Sequence, residues 1–193
     1  SKWDLICSFM DRVEDSTNIL NELNLDSTNT LTQSTIILYF VYTDIIRSCV
    51  DVLLKEFEFV DINENSSDIF KMRGINDKGT DDRFFLHLRN LSFAHVLRVD
   101  HNSPYLVSEP KKERLYAPLM SDSGLNIIIT VYSTVRNQSD VSHKISKENL
   151  FKYTLRKYGV LDQIILELNR IIEDFDKDWS SQFVTLSDDT VRM

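Results

Sequence analysis

The chain has 193 residues, and its 42% hydrophobic and 10% aromatic content can build the continuous core of a single domain. The net charge of −8 argues against general attraction of the whole chain to nucleic acid. The longest apolar run, residues 35–46, is too short to cross a membrane and contains Asp44, so it predicts a buried helix. The first residues lack the basic patch followed by an apolar stretch that a secretion signal has, and the two cysteines are far apart in the sequence. Both features predict a cytoplasmic protein.

Charge is distributed unevenly along the chain. Residues 83–157 contain 12 Lys and Arg against 6 Asp and Glu, whereas the rest of the chain contains 10 against 24. A basic middle between acidic flanks is compatible with an anion-binding face. It is equally typical of ordinary solvated surfaces, because neighbours in sequence need not be neighbours in space.

The first half of the chain predicts three helices. Apolar residues recur every three or four positions over residues 3–23, and a second, nearly all-round apolar helix is expected over residues 33–57. Residues 60–79 are polar and predict a loop, with one short turn near residues 68–72. Thr80 and Asp81 are suited to cap a third helix that ends near Asp100, before Pro104.

The second half predicts a hairpin followed by helices. Residues 114–120 and 125–134 have strand-like composition around a Ser-Asp-Ser-Gly turn. A fourth helix is expected from Ser146 to Tyr158, with a bend at Gly159 before a fifth apolar-striped helix. The expected fold is mainly α, a bundle of about five helices with an inserted β-hairpin near residues 114–134. Residues 1–179 would form one domain and residues 180–193 a C-terminal tail.

The third helix carries the only chemically suggestive residues. No Gly-rich phosphate loop, zinc-like Cys/His spacing or nucleophile elbow is found, so neither a metal nor another cofactor is expected. The helix is apolar on several sides, yet it contains Arg89, Asn90 and His95. Polar groups removed from water without partners cost about 1 to 3 kcal/mol each. They therefore require either a buried hydrogen-bond network or a solvent-open cleft at a subunit boundary.

The run Arg89-Asn90-Leu91-Ser92-Phe93-Ala94-His95 resembles the Arg-polar-x4–6-His motif of the HEPN superfamily. These are small helical domains that include many metal-independent ribonucleases of prokaryotic defence and toxin-antitoxin systems. The resemblance implies a HEPN-like homodimer in which Arg89 and His95 of both copies line one cleft, with Asn90 as a third site residue. It further implies an RNA substrate and a protein antitoxin or regulator as partner.

The implied chemistry uses the 2′-hydroxyl of the RNA itself as the nucleophile. His95 would move protons, and Arg89 would stabilise charge developing on the phosphate. On a straight helix the two residues are separated by about 9 Å and about 120°, so they would meet at one phosphate only through a kink, a long arginine reach or the two-fold partner. Supporting contacts to RNA are expected from five basic residues: Arg98, His101, Lys111, Lys112 and Arg114.

Structural explanations exist for the same residues. His95 lies on the stripe of Phe84, Leu88 and Leu91 and would serve equally as a core histidine, and Arg89 as a structural ion pair with an acid of the flanks. His87 has the character of a surface residue. Leu97 stands where some HEPN toxins have a tyrosine that a partner nucleotidyltransferase modifies, so silencing of the protein by that modification is not expected.

The alternative functions are a non-catalytic HEPN-like dimerisation or protein-interaction domain and, more distantly, a small-ligand regulatory bundle.

Overall fold

The computed structural model describes residues 2–23, 25, 30–61, 65–71, 79–94, 105, 115–133 and 140–181. In chain order these residues form α1 (Lys2–Leu23), α2 (Gln33–Glu56), α3 (Asp81–Arg89), a π-helix (Asn90–Ala94), β1 (Leu115–Ser123), β2 (Asn126–Ser133), β3 (Val141–Ser146) and α4 (Lys147–Ser181). The prediction of a mainly helical protein is confirmed. Within the described residues, no helix is both long enough and apolar enough to cross a membrane.

Threonine hydroxyls cap the starts of α2 and α3, and Thr80 is one of the two caps predicted for the third helix. The hydroxyl of Thr32 accepts a hydrogen bond from the Thr35 amide at the start of α2, and that of Thr80 accepts from the Arg83 amide at the start of α3. Each side chain satisfies an amide that the helix leaves without a partner. Asp81 has a different role from the predicted cap, since its carboxylate accepts the backbone amides of Ile69 and Phe70. It therefore anchors the preceding loop to α3.

The three strands form an antiparallel sheet in the order β1-β2-β3. The predicted hairpin is β1 and β2, joined at Gly124, whose φ of 64° suits a residue without a Cβ. β3 was not predicted and pairs with β2, so that Ile127 lies opposite Ile145 and Ile129 opposite His143. All four of these side chains are buried. The sheet therefore has one face turned toward the helices.

Two apolar clusters make up the core. The larger joins α2, α3, the sheet and the start of α4, with Phe40, Phe85 and Tyr153 fully buried at its centre. The smaller lies between the second half of α2 and the middle of α4 and includes Val50 and Val160. Because α2 and α4 both contribute to both clusters, these two helices connect the two ends of the molecule.

The expected bundle of five helices is corrected in two respects. The described residues contain four α-helices, because α4 passes through Gly159 without a break and replaces the predicted fourth and fifth helices. The third helix is α-helical only to Arg89 and continues as a π-helix to Ala94, whereas residues 95–100 lie outside the described residues. α4 also includes Ser180 and Ser181, so it extends past the expected start of the tail.

Candidate functional site

Arg89 is the last residue of α3, at the edge of the larger apolar cluster. Three apolar residues that precede it, Phe84, Phe85 and Leu88, are buried at 0 to 3% exposure. The burial of these three side chains fixes the orientation of α3 about its own axis. Arg89 is thereby placed beside α2, with its side chain 31% exposed.

Two oxygen acceptors hold the Arg89 guanidinium. Its Nε donates to Oδ2 of Asp44 at 3.0 Å, and its Nη1 donates to Oδ1 of Asn90 at 2.9 Å. The guanidinium carbon lies 5.0 Å from the ring centre of Phe93, within the range of a cation–π contact. The planar group is therefore held in one orientation while part of it remains accessible to solvent.

Asp44 is shared between two arginines. Its Oδ1 accepts from Nε of Arg47 at 3.0 Å, while Arg47 also pairs with Asp51 one turn further along α2. Burial alone would lower the pKa of Arg47, but the carboxylates of Asp44 and Asp51 raise it above its ordinary value. An ion pair with some acid of the flanks was the structural alternative that the sequence left open for Arg89. The structure identifies that acid as Asp44, in a chain of alternating charges that ends at Asp51.

The π-helix begins directly after Arg89. Leu91 is buried in the core, and the hydroxyl of Ser92 donates to the Leu88 carbonyl at 2.7 Å. A π-helix has a wider turn than an α-helix, and such segments are frequent at functional sites. Residues 90–94 therefore do not form the straight α-helix on which the expected separation of about 120° depends.

The other predicted site residues lie outside the described residues. These are His95, which would be catalytic, and the supporting positions Arg98, His101, Lys111, Lys112 and Arg114. Of the three expected catalytic residues, the structure thus describes Arg89 and Asn90 and brings them into contact. The side-chain oxygen of Asn90 accepts the hydrogen bond from Nη1 of Arg89, and the Asn90 side chain is half-buried.

The prediction that His87 is a surface residue is wrong. His87 is 8% exposed, and its Nε2 lies 3.2 Å from Nε2 of His143, which is 5% exposed. Burial, with a further contribution from His143, lowers the pKa of His87 to about 3, and burial also lowers the pKa of His143. Two neutral rings therefore share one hydrogen bond, one nitrogen donating and the other accepting. The alternation of Val141, His143 and Ile145 along a strand was the sequence signal for an inward histidine.

A polar cleft of about 810 Å³ lies at the N-terminal end of α3. At its edge, Nζ of Lys157 lies 3.1 Å from Asp61 and 2.7 Å from Asp82, and the Lys157 side chain is 1% exposed. The cleft wall adds Arg47, Arg83 and Asp51. Two arginines and three carboxylates thus line the cleft, and Lys157, which pairs with two of these carboxylates, is buried, so the cleft offers no excess of positive charge to a phosphate. The sequence contains no signal for this cleft, because the residues that line it come from segments that are far apart along the chain.

A second concave surface is apolar. It is a groove of about 590 Å³ between α1 and the middle of α4, and it includes Phe9 and Val13 of α1 and Leu161 and Leu168 of α4. The amphipathic patterns of both segments were read from the sequence as core faces. In the structure part of those faces remains uncovered.

Comparison with known proteins identifies no relative of this chain. No protein-family model, no curated protein and no solved structure matches this chain.

Proposed function

We propose that this protein is a HEPN-like, metal-independent endoribonuclease that acts as a homodimer. The observation that carries the proposal is the state of Arg89. Asp44 and Asn90 fix the orientation of its guanidinium, yet the side chain remains 31% exposed at the start of the π-helix that leads toward His95. A cation held in place before substrate arrives is suited to stabilising charge on a phosphate, since no reorganisation is needed during the reaction.

The chemistry requires only groups of the protein and of the RNA. The 2′-hydroxyl of the RNA attacks the adjacent phosphorus as it loses its proton, and the bond to the 5′-oxygen of the next nucleotide breaks as that oxygen gains one. His95 transfers these protons, because an imidazole titrates near neutral pH. Arg89 stabilises the additional negative charge on the phosphoryl oxygens. Asn90 positions Arg89 through the bond to Nη1.

Two copies of the chain would form the complete site. Arg89 and His95 of both copies would line one cleft, and Arg98, His101, Lys111, Lys112 and Arg114 would contact the RNA backbone by charge. The proposal includes a cytoplasmic role in a prokaryotic defence or toxin system, with a protein antitoxin or regulator as partner. The basic balance of residues 83–157 supports an anionic substrate.

The second candidate is a non-catalytic HEPN-like domain that pairs with itself or with another protein. Two observations favour it. The pairing of Arg89 with Asp44, which is 11% exposed, is what a purely structural arginine would also show. The apolar groove between α1 and α4 is a surface suited to a protein partner.

Cleavage of RNA in EDTA distinguishes the two candidates. Wild type should cut an RNA substrate and leave the same sequence intact when every 2′-hydroxyl is replaced by hydrogen. Arg89→Ala and His95→Ala should each lower the cleavage rate by about a hundredfold or more, the usual contribution of one such group. Arg170→Ala is the matched control, because Arg170 is a 71% exposed arginine on α4 away from Arg89.

Intact RNA with wild type, or equal cutting by wild type and both variants, removes the nuclease hypothesis. Light scattering provides a second criterion, since a monomer mass at assay concentration would exclude a composite site. The non-catalytic candidate predicts unaltered RNA under every condition.

A further inference from the structure

The groove between α1 and α4 has an apolar floor that remains largely uncovered. Met10 on one side is 64% exposed and Ile165 on the other is 54% exposed. The floor between them is formed by Phe9, Val13, Leu161 and Leu168. Isolated exposed apolar residues are ordinary, but a continuous apolar concavity is characteristic of an interaction site.

The apolar surface continues along α4 beyond the groove. From Asn169 to Asp174 every side chain is exposed, which shows that α4 projects past the helices it packs against. Ile171 and Ile172 on this projection are 49% and 58% exposed. A helix laid in the groove would therefore find further apolar contacts along α4.

The rims of the groove are negatively charged. Glu14 on α1 and Asp162 on α4 line opposite sides, and neither forms an ion pair with another described residue. The nearby cations of α4 are already paired, Arg170 with Glu167 and Lys177 with Asp174. α1 contains five acids and two bases, and α4 from Asp162 onward contains six acids and two bases. Both helices therefore present excess negative charge beside the apolar floor.

The negative charge beside the groove favours some kinds of binding partner over others. A second copy would bring the same acidic helices against each other, and like charges at an interface are costly. An anionic membrane surface is disfavoured for the same reason. A helix with one apolar stripe flanked by Lys or Arg would fill the floor and pair with the rims. We infer that the groove between α1 and α4 is a docking site for a basic amphipathic helix of a partner protein.

The test uses a designed probe peptide of about 18 residues, long enough to follow the groove. One fluorescent peptide has leucines at helical spacing flanked by lysines, and the other has the same leucines flanked by glutamates. Fluorescence anisotropy measures the affinity of wild type for each peptide. The lysine peptide should bind at least about tenfold more tightly than the glutamate peptide, and the difference should shrink at high salt.

Variants locate the binding. Ile165→Asp should lower the affinity for the lysine peptide by about tenfold or more, because it places a carboxylate in the apolar lining of the groove. Leu119→Asp is the matched control, because Leu119 is 49% exposed on β1 outside the groove. This variant should bind the lysine peptide as tightly as wild type does. The double variant Glu14→Lys with Asp162→Lys should reverse the preference toward the glutamate peptide. Circular dichroism verifies that each variant is folded.

Several outcomes would overturn the inference. These are equal affinity for the two peptides, no binding of the lysine peptide, or an unchanged preference in the double charge variant. A dimer mass that Ile165→Asp converts to a monomer would assign the groove to a second copy. Flotation of wild type with anionic vesicles, abolished by Ile165→Asp, would assign it to a membrane. RNA cleavage is not a readout in any of these measurements, so the outcome is independent of the proposed nuclease activity.

Discussion

The Nε2 atoms of His87 and His143 lie 3.2 Å apart in the core, joining α3 to β3 by one hydrogen bond between neutral rings. A second ring contact supports the pair, because Phe84 lies against both imidazoles. Since both rings are buried, the hydrogen bond depends on at least one nitrogen remaining unprotonated.

The free energy of unfolding is expected to fall as the pH drops below 6.5. The pKa of His87 is lowered from 6.5 to about 3 in the folded protein, and the pKa of His143 is lowered as well. The unfolded chain therefore binds protons below pH 6.5 that the folded chain excludes, at a cost of about 1.4 kcal/mol per pH unit for each proton. Urea unfolding at a series of pH values from about 7.5 down to 5 measures the slope before most carboxylates titrate.

The matched control for this pH dependence is the double variant His87→Gln with His143→Gln. It retains a donor and an acceptor at the two positions and has no ring to titrate. Its stability should vary less with pH over the same range. A wild-type stability that is flat from pH 7.5 to 5 would contradict the assignment of two buried neutral histidines.

Gly159→Ala is expected to stabilise the protein by about 0.5 to 1 kcal/mol. Gly159 lies inside α4, and a Cβ at this position would meet nothing within 4 Å. Alanine would therefore reduce the freedom of the unfolded chain and introduce no clash. Thermal unfolding followed by circular dichroism gives the difference.

Gly124→Ala provides the contrast, because Gly124 has a φ of +64° in the turn between β1 and β2. The same chemical change should destabilise here by about 1 kcal/mol or more, since alanine is strained at positive φ. A destabilising Gly159→Ala would indicate that α4 bends at this residue in solution.

Lys157→Met is expected to destabilise the protein by about 3 to 5 kcal/mol. The ammonium of Lys157 lies between Asp61 and Asp82 and is 1% exposed, so its removal leaves two carboxylates without their shared cation. Lys152→Met on the same helix removes a 57% exposed lysine paired with Glu148, and should change stability by less than about 0.5 kcal/mol. Urea denaturation of both variants measures the two effects. Similar losses in the two variants would mean that the Lys157 pair contributes no more than a surface pair.

Arg89→Lys tests whether orientation matters as well as charge. A lysine retains the cation but cannot donate to Asp44 and Asn90 in the forked geometry that the guanidinium uses. If the proposed function is right, the variant should remain folded and cleave RNA about as slowly as Arg89→Ala. Single-turnover cleavage and thermal unfolding provide the two readouts. Wild-type cleavage by Arg89→Lys would show that the fixed orientation is not needed.

The helices whose apolar pattern is continuous were predictable from the sequence. α1 and α2 lie within one residue of their predicted bounds, because their patterns are long and Thr32 supplies the cap of α2. Gly159 was misleading, since glycine permits a bend but does not impose one. The packing of Val160 and Ile164 against α2 holds that segment helical.

The elements that were missed depend on contacts distant in sequence. β3 contains His143 and Lys144 and resembles a polar loop, but its pairing with β2 makes it a strand. The π-helix has no composition signal at all. Likewise, Asp44 could not be assigned to Arg89, because 45 residues separate them and many other acids were available.

The placement of α4 determines when during synthesis the core can close. The hydroxyl of Thr154 on α4 bonds that of Thr43 on α2, 111 residues earlier, and Lys157 reaches back 96 residues to Asp61. Contacts of such long separation form slowly, because the loop must be closed before they contribute. Until α4 leaves the ribosome, the apolar side of α2 that it covers remains exposed to water. The nascent chain is therefore expected to depend on chaperones until α4 is complete, although α1 and α2 can pair as soon as both are made.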